Sequence, residues 1–231
     1  MQTEGSFADE MNFYKLFWIF VIGCFLGVVI ETLWCIFRYH KLESRKGLVW
    51  GPFNLVYGFG ALAMTLGLYP IRDCRDLLIF AAGSVIGGVF EYLCSVVQEK
   101  LTGTVSWDYR DFPLNLHGRI NLLYCFFWGI LALLWVKDLF PNMTSLIEKI
   151  PSSAGVPLTW LGILFFVVDS ILSALVVYRM NARCSGSAKT SRYWKMIDSR
   201  YPDEKVKRIY PNMQFGVHRK AKHEEEKIPC T

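Results

Sequence analysis

The chain has 231 residues, of which 53% are hydrophobic and 16% aromatic, and a formal net charge of +5. The apolar residues gather into runs long enough to cross a bilayer, which excludes an ordinary water-soluble domain and defines an integral membrane protein. The seven Cys form no Cys-x-x-Cys and are odd in number, so neither a disulfide framework nor a zinc site is indicated.

Five transmembrane helices are predicted, at residues 16–37, 53–71, 77–97, 120–136 and 158–178. Their lengths suit a hydrocarbon core about 30 Å thick at 1.5 Å of rise per residue. The expected fold class is therefore all-α, a polytopic membrane helical bundle. It divides into an N-terminal external segment (1–15), a transmembrane domain (16–178) and a basic cytoplasmic tail (179–231). With the N-terminus outside, 20 Lys and Arg fall on the inner side and 5 on the outer. The positive-inside rule then predicts a cytoplasmic C-terminus. Residues 1–10 carry three acids and no Lys or Arg, and the first apolar run is long for a signal sequence, so a retained first span is expected.

The first span sets Gly23, Gly27, Glu31 and Cys35 at successive i, i+4 positions, along one side of a helix. Small residues on one stripe let another helix approach, so Glu31 is expected to face protein. A basic inner loop, residues 40–50, leads to Gly51-Pro52, a helix-start signal. The second span is uncharged and ends in a short outer turn. The third repeats the first: Gly83, Gly87, Glu91 and Ser95 form the same stripe, with Gly83, Gly87 and Glu91 each 60 residues after its counterpart. Both Glu are expected at similar depth, in the inner half of the membrane.

The densest polar stretch follows at residues 107–121, W-D-Y-R-D-F-P-L-N-L-H-G-R-I-N, directly before the fourth span. Its Pro113, Asn115 and Leu116 stand 61 residues after Pro52, Asn54 and Leu55, and Gly118 stands 60 after Gly58. The chain thus carries an internal repeat, residues 16–71 and 77–136. Because each copy holds two spans, the copies are expected to be parallel rather than inverted. Residues 141–157, with three Pro, read as an outer loop. The fifth span carries Asp169 in its middle, where a hydrogen bond to a neighbouring helix would satisfy it. The tail is too polar and short to promise a second domain with its own core.

An ionised carboxylate at the bilayer centre costs roughly 2.5–3.5 kcal/mol on insertion scales, so it needs a partner, a proton or water. The functional expectation is a paired polar site built from Glu31 and Glu91, binding a cation, a proton or a substrate amine; the bland one is two helix-pairing contacts. Asn54 and Asn115 either cap their helices or join the site. His117, Arg119 and Asn121 occur only in the second copy. Arg119 is a candidate to contact an anionic group or Glu91, against the ordinary role of Arg as a topology anchor. Trp107, Asp108, Tyr109 and Asp111 are loop candidates, with Trp107 and Tyr109 equally at home as interface residues. No cofactor or nucleic-acid partner is indicated. The nearest approach to a phosphate loop, S-G-S-A-K-T-S at residues 185–191, has Ala188 where Gly must precede Lys, so the chain has no ATP-binding motif of its own.

The stripe of Gly83, Gly87 and Glu91, followed by S-W-D-Y-R-D-F-P-L-N-L-H-G-R-I-N-L and by F-F-W-G-I-L at residues 126–131, resembles a bacterial family of ABC-transporter permeases, the CmpB-like small integral membrane proteins. The resemblance covers roughly residues 14–138. It implies a multi-pass permease component in a bacterial plasma membrane, served by a separate ATPase docking on the inner loops at 40–50 and 101–118. Two other functions stay open: a membrane-embedded enzyme acting on a lipid or amphiphile, with His117 or a carboxylate as general base and Arg119 holding an anionic headgroup, and a non-catalytic regulatory subunit. Both a monomer and a homo-oligomer fit the repeat.

Overall fold

The computed structural model describes residues 7–8 and 11–216 of the chain. Most of the N-terminal segment 1–10, the end of the tail from residue 217, and Cys230 lie outside the described residues.

The architecture is the expected all-α bundle. α1 (Phe13–Tyr39) starts at Asn12, whose side chain accepts from the Lys15 N–H, and stops at His40, in the left-handed region at φ 53°. α2 (Leu55–Leu68) is capped by Asn54 in the same manner. α3 (Asp76–Thr102) ends at Gly103, whose φ of 67° suits a residue without a Cβ. A hairpin, β1 (Asn115–Leu116) with antiparallel β2 (Ile120–Asn121), leads into α4 (Leu122–Leu134). Then come α5 (Phe140–Glu148), α6 (Ser152–Cys184), α7 (Arg192–Arg200) and α8 (Asp203–Ile209).

Four stretches are long and apolar enough to cross a membrane: α1, α3, the continuous run Leu122–Glu148, and α6. The apolar helix Leu55–Ile71 is shorter. The loop expected at 141–157 is instead helical on both sides of a brief break at residues 149–151. Pro141 does not end the fourth helix because a π turn, Trp135–Leu139, precedes it. There the Phe140 N–H reaches back five residues to the Trp135 carbonyl, and the wider turn absorbs the helix that Pro141 would otherwise break.

α1 packs on α2 and α3 on α4 as two similar hairpins, and their shared geometry is set by glycine. A Cβ at Gly27 would run into the ring of Tyr57, and one at Gly87 into the ring of Trp128. Gly23 likewise meets Ala61, and Gly83 meets Ala132. These close approaches put the second helices of the two repeats in a register of 71 residues, from Tyr57 to Trp128 and Ala61 to Ala132. The helix caps correspond at 67, from Asn54 to Asn121. Asn121, rather than the expected Asn115, is thus the counterpart of Asn54. The four extra residues add about one helical turn to the start of α4.

The tail makes no core of its own but completes one. Ile197, Tyr201, Val206, Ile209 and Tyr210 pack with Val176, Val177 and Met180 of α6, and with Val49 of the first loop. Asp198 clamps the arrangement, bridging Arg179 (2.7 Å) and Arg183. The Arg179 hydrogen bond leads in holding the Asp198 carboxyl below the usual carboxylate range. Beyond α8 the chain runs as a strap: Gln214 and Val105 exchange backbone hydrogen bonds at 2.8 and 3.3 Å, and the Gly216 N–H reaches Asn181 at 2.8 Å.

Candidate functional site

Every polar residue singled out above, except Asp111, has a hydrogen-bonding partner. Apart from Asp169 on α6, those partners sort the residues into two constellations, one per repeat, and among the described residues no hydrogen bond or ion pair joins the two.

In the first repeat, Glu31 accepts from the Tyr57 hydroxyl and faces Arg45 Nη1 at 3.6 Å. Arg45 comes from the loop, with its Nη2 near Cys35 Sγ (3.1 Å) and Glu43 (3.4 Å). Asn54 positions that loop: its amide donates to the Arg45 carbonyl at 3.2 Å while its Oδ1 caps α2 at Val56. The Glu31 side chain keeps 35% of its exposure and lines an open cleft of about 390 Å³. The other walls are Trp34, Tyr39, Lys41, Glu43, Arg45 and, from the tail strap, Asn212. Arg45 Nε is buried without a hydrogen-bond partner. Two carboxylates, two cations and two aromatic rings therefore converge on a space that water and a small polar solute can enter.

The second repeat is closed. Glu91 is only 9% exposed and accepts from Tyr109 Oη at 2.7 Å and Trp128 Nε1 at 2.8 Å. Tyr109 reaches it from the loop, its ring 4.5 Å from that of Tyr124. Burial, reinforced by the Glu91 charge, holds the Tyr109 hydroxyl above the usual phenol range, so it stays a proton donor. Arg119 does not pair with Glu91: it goes to Glu99 and to Ser95 Oγ at 3.0 Å. The reason is placement, since Arg119 sits one turn or more along α3 from Glu91, level with Ser95 and Glu99. His117 Nδ1 bonds the Tyr92 hydroxyl at 3.0 Å.

The remaining loop residues build the loop itself. Asn115 donates to the carbonyls of Arg110 (3.3 Å) and Phe112 (2.8 Å) and accepts from the Gly118 N–H (2.9 Å). Trp107 Nε1 donates to the Arg119 carbonyl at 3.0 Å, and Asp108 holds Arg110 at 2.5 Å. Asn121 caps α4 through the Tyr124 N–H at 2.9 Å, leaving its buried amide nitrogen without a partner. Asp111 is exposed. Asp169 is fully buried, yet its partner is not a neighbouring helix. It accepts from the Trp50 N–H at 3.0 Å and from Ser173, whose hydroxyl in turn accepts from the Val49 N–H at 2.8 Å, tying the first loop to α6.

Sequence reasoning missed Tyr57 and Trp128 as the carboxylate partners, and Arg45 as the cation. A signal for the cap correspondence alone was present: G-P-F-N-L-V-Y at residues 51–57 matches G-R-I-N-L-L-Y at 118–124 more closely than the P-x-N-L pairing does, but it aligns Tyr57 with Tyr124 and not with Trp128. Among the described residues no group of three or more His, Cys, Asp or Glu could hold a metal ion.

Long apolar helices packed through glycine stripes define a polytopic helical membrane protein in class, and the family match makes it transporter-related. The chain belongs to the family described as Putative ABC-transporter type IV, whose model matches residues 18–174. No curated protein and no solved structure matches it.

Proposed function

We propose that the protein is the membrane-embedded permease component of a transport system, with a polar substrate site around Glu31 that opens to the cytoplasmic side. The open cleft carries this reading. There a carboxylate on a membrane-spanning helix, its side chain 35% exposed, faces charged loop side chains across a space of about 390 Å³, within the usual size range of small-ligand sites. Glu31 and Glu43 offer the site to a cation or substrate amine, with Arg45 setting the resting charge balance. The Glu91 constellation, with Asn115, His117, Arg119 and Asn121, is its closed counterpart and holds the second hairpin in shape. In this orientation the N-terminus is outside and the tail cytoplasmic, and the loops at 40–54 and 103–121 form the surface for a separate ATPase.

An enzyme acting on a lipid headgroup gains little support, because Arg119 and His117 already have partners within the second repeat. Purification of the tagged protein in mild detergent, with mass spectrometry of retained proteins, tests the proposal. A stoichiometric ATPase whose activity in reconstituted vesicles drops in Glu31→Gln is the expected result. Retention of no ATPase, together with nucleotide-independent turnover of an added lipid, overturns it.

A further inference from the structure

α7 is an amphipathic helix with one face packed and the other exposed among the described residues. Its inner face is spent on the tail core: Ile197 is buried, Asp198 clamps Arg179 and Arg183, and Trp194 packs on Tyr178 with ring centroids 6.3 Å apart. The outer face carries Arg192, Lys195, Met196 and Arg200, and Tyr193 stands at its edge. Met196 is 62% exposed and Tyr193 47%. Among the described residues, no ion pair or hydrogen bond engages the side chains of Arg192, Lys195 or Arg200; the Arg200 carbonyl accepts from Lys205 Nζ at 3.1 Å.

The depth of this face is set by the helix it packs against. The apolar run of α6 ends at Tyr178, itself 52% exposed, and the next residue is Arg179. Trp194 contacts both, with the Arg179 guanidinium 5.2 Å from its ring. Tyr193 continues the series, 5.0 Å from Trp194 between ring centroids. An exposed aromatic at the end of a span, joined ring to ring to aromatics on a cationic helix, is the pattern of a membrane–water boundary.

We propose that the outer face of α7 lies on the membrane surface and binds anionic lipid headgroups. Met196 and Tyr193 enter the headgroup layer, and Arg192, Lys195 and Arg200 meet lipid phosphates. A protein partner would also cover this face, but a single exposed apolar side chain ringed by three cations fits a charged lipid surface better than a packed interface. The consequence for the chain is positional. α7 and α8 lead directly into the strap that carries Asn212 to the Glu31 cleft and Gln214 to Val105, so lipid held on α7 fixes the strap in place.

The test uses the full chain in nanodiscs of an equal mixture of phosphatidylcholine and phosphatidylglycerol, with a photoreactive residue introduced as Met196→p-benzoylphenylalanine. The same group at Leu161, 62% exposed in the first third of α6, reports that the protein is folded and reacts with lipid of either kind. Lipid adducts at residue 196 enriched about fivefold in phosphatidylglycerol, the effect of about one cation–lipid contact, are expected. The triple change Arg192→Gln, Lys195→Gln and Arg200→Gln should return the ratio to one without altering adducts at residue 161. Equal adducts with both lipids, or only protein adducts or none at residue 196 while residue 161 labels normally, overturn the proposal.

Discussion

The two repeats solve one problem in two ways. Each places a glutamate at the same point of a glycine stripe, with a second-helix aromatic donating to it: Tyr57 to Glu31 and Trp128 to Glu91. They part in what comes from the loop. The first repeat sends an arginine, which leaves a charged, half-open cleft. The second sends the Tyr109 hydroxyl, a neutral donor that closes the site. A buried carboxylate held by two neutral donors has no room for another ligand, whereas one that is 35% exposed and 3.6 Å from its cation has space beside it. Under the proposed function, the first copy would carry the chemistry and the second would hold structure.

The strongest way to break this comparison is to treat both carboxylates alike. Glu91→Leu leaves the Tyr109 and Trp128 donors unpaired and should lower stability in detergent by about 2–4 kcal/mol. Glu31→Leu should cost about 1 kcal/mol or less, since that side chain is partly solvated. Thermal unfolding followed by size-exclusion chromatography reads the gap, and equal losses would end the distinction between a closed and an open repeat. Next in size, Gly87→Val should destabilise by about 1–3 kcal/mol through overpacking against Trp128, and Gly27→Val by a similar amount against Tyr57. If only one of the pair is sensitive, the shared hairpin geometry is wrong.

Tyr109→Phe sharpens the contrast at lower cost, about 1–2 kcal/mol, by removing a single donor from Glu91 while keeping the ring on Tyr124. Tyr57→Phe should leave stability closer to wild type, because Arg45 remains beside Glu31. The smallest effect is a pH dependence confined to the tail. The folded-state pKa of Asp198 is depressed, so its contribution is full above the unfolded value of about 3.9 and is lost as pH falls through the lower folded value. Hydrogen exchange in residues 192–209 should therefore rise below about pH 3.9, and Asp198→Asn should show raised exchange already at pH 7.

Much of the fold was legible because lipid imposes simple rules. Span length and the i, i+4 stripes located α1, α3 and α6 and placed Glu31 and Glu91 against protein. What resisted reading was register and breakage. The shared Pro and Asn of G-P-F-N-L and F-P-L-N-L point to Asn115, but that residue is spent closing its own loop, and the capping role belongs to Asn121. Pro141 looks like a stop until the π turn before it is seen. The tail looked too polar for a core because its apolar residues are complementary to α6 rather than to one another. The site was half legible: intramembrane acids announce themselves, but their partners lie in loops whose path the sequence pattern does not constrain.

The strap at residues 210–216 has a consequence in the order of synthesis. A chain emerges N-terminus first, so both hairpins and α6 precede the segment that carries Asn212 and Gln214. Until that segment arrives, the Glu31 cleft lacks its last wall and no strand links the tail to Val105 of the second repeat. A chain cut before residue 210 would thus hold all four long apolar stretches found among the described residues and still lack the Asn212 wall of the cleft. Asn212 therefore joins the walls of the cleft only after α1 to α8 have been made.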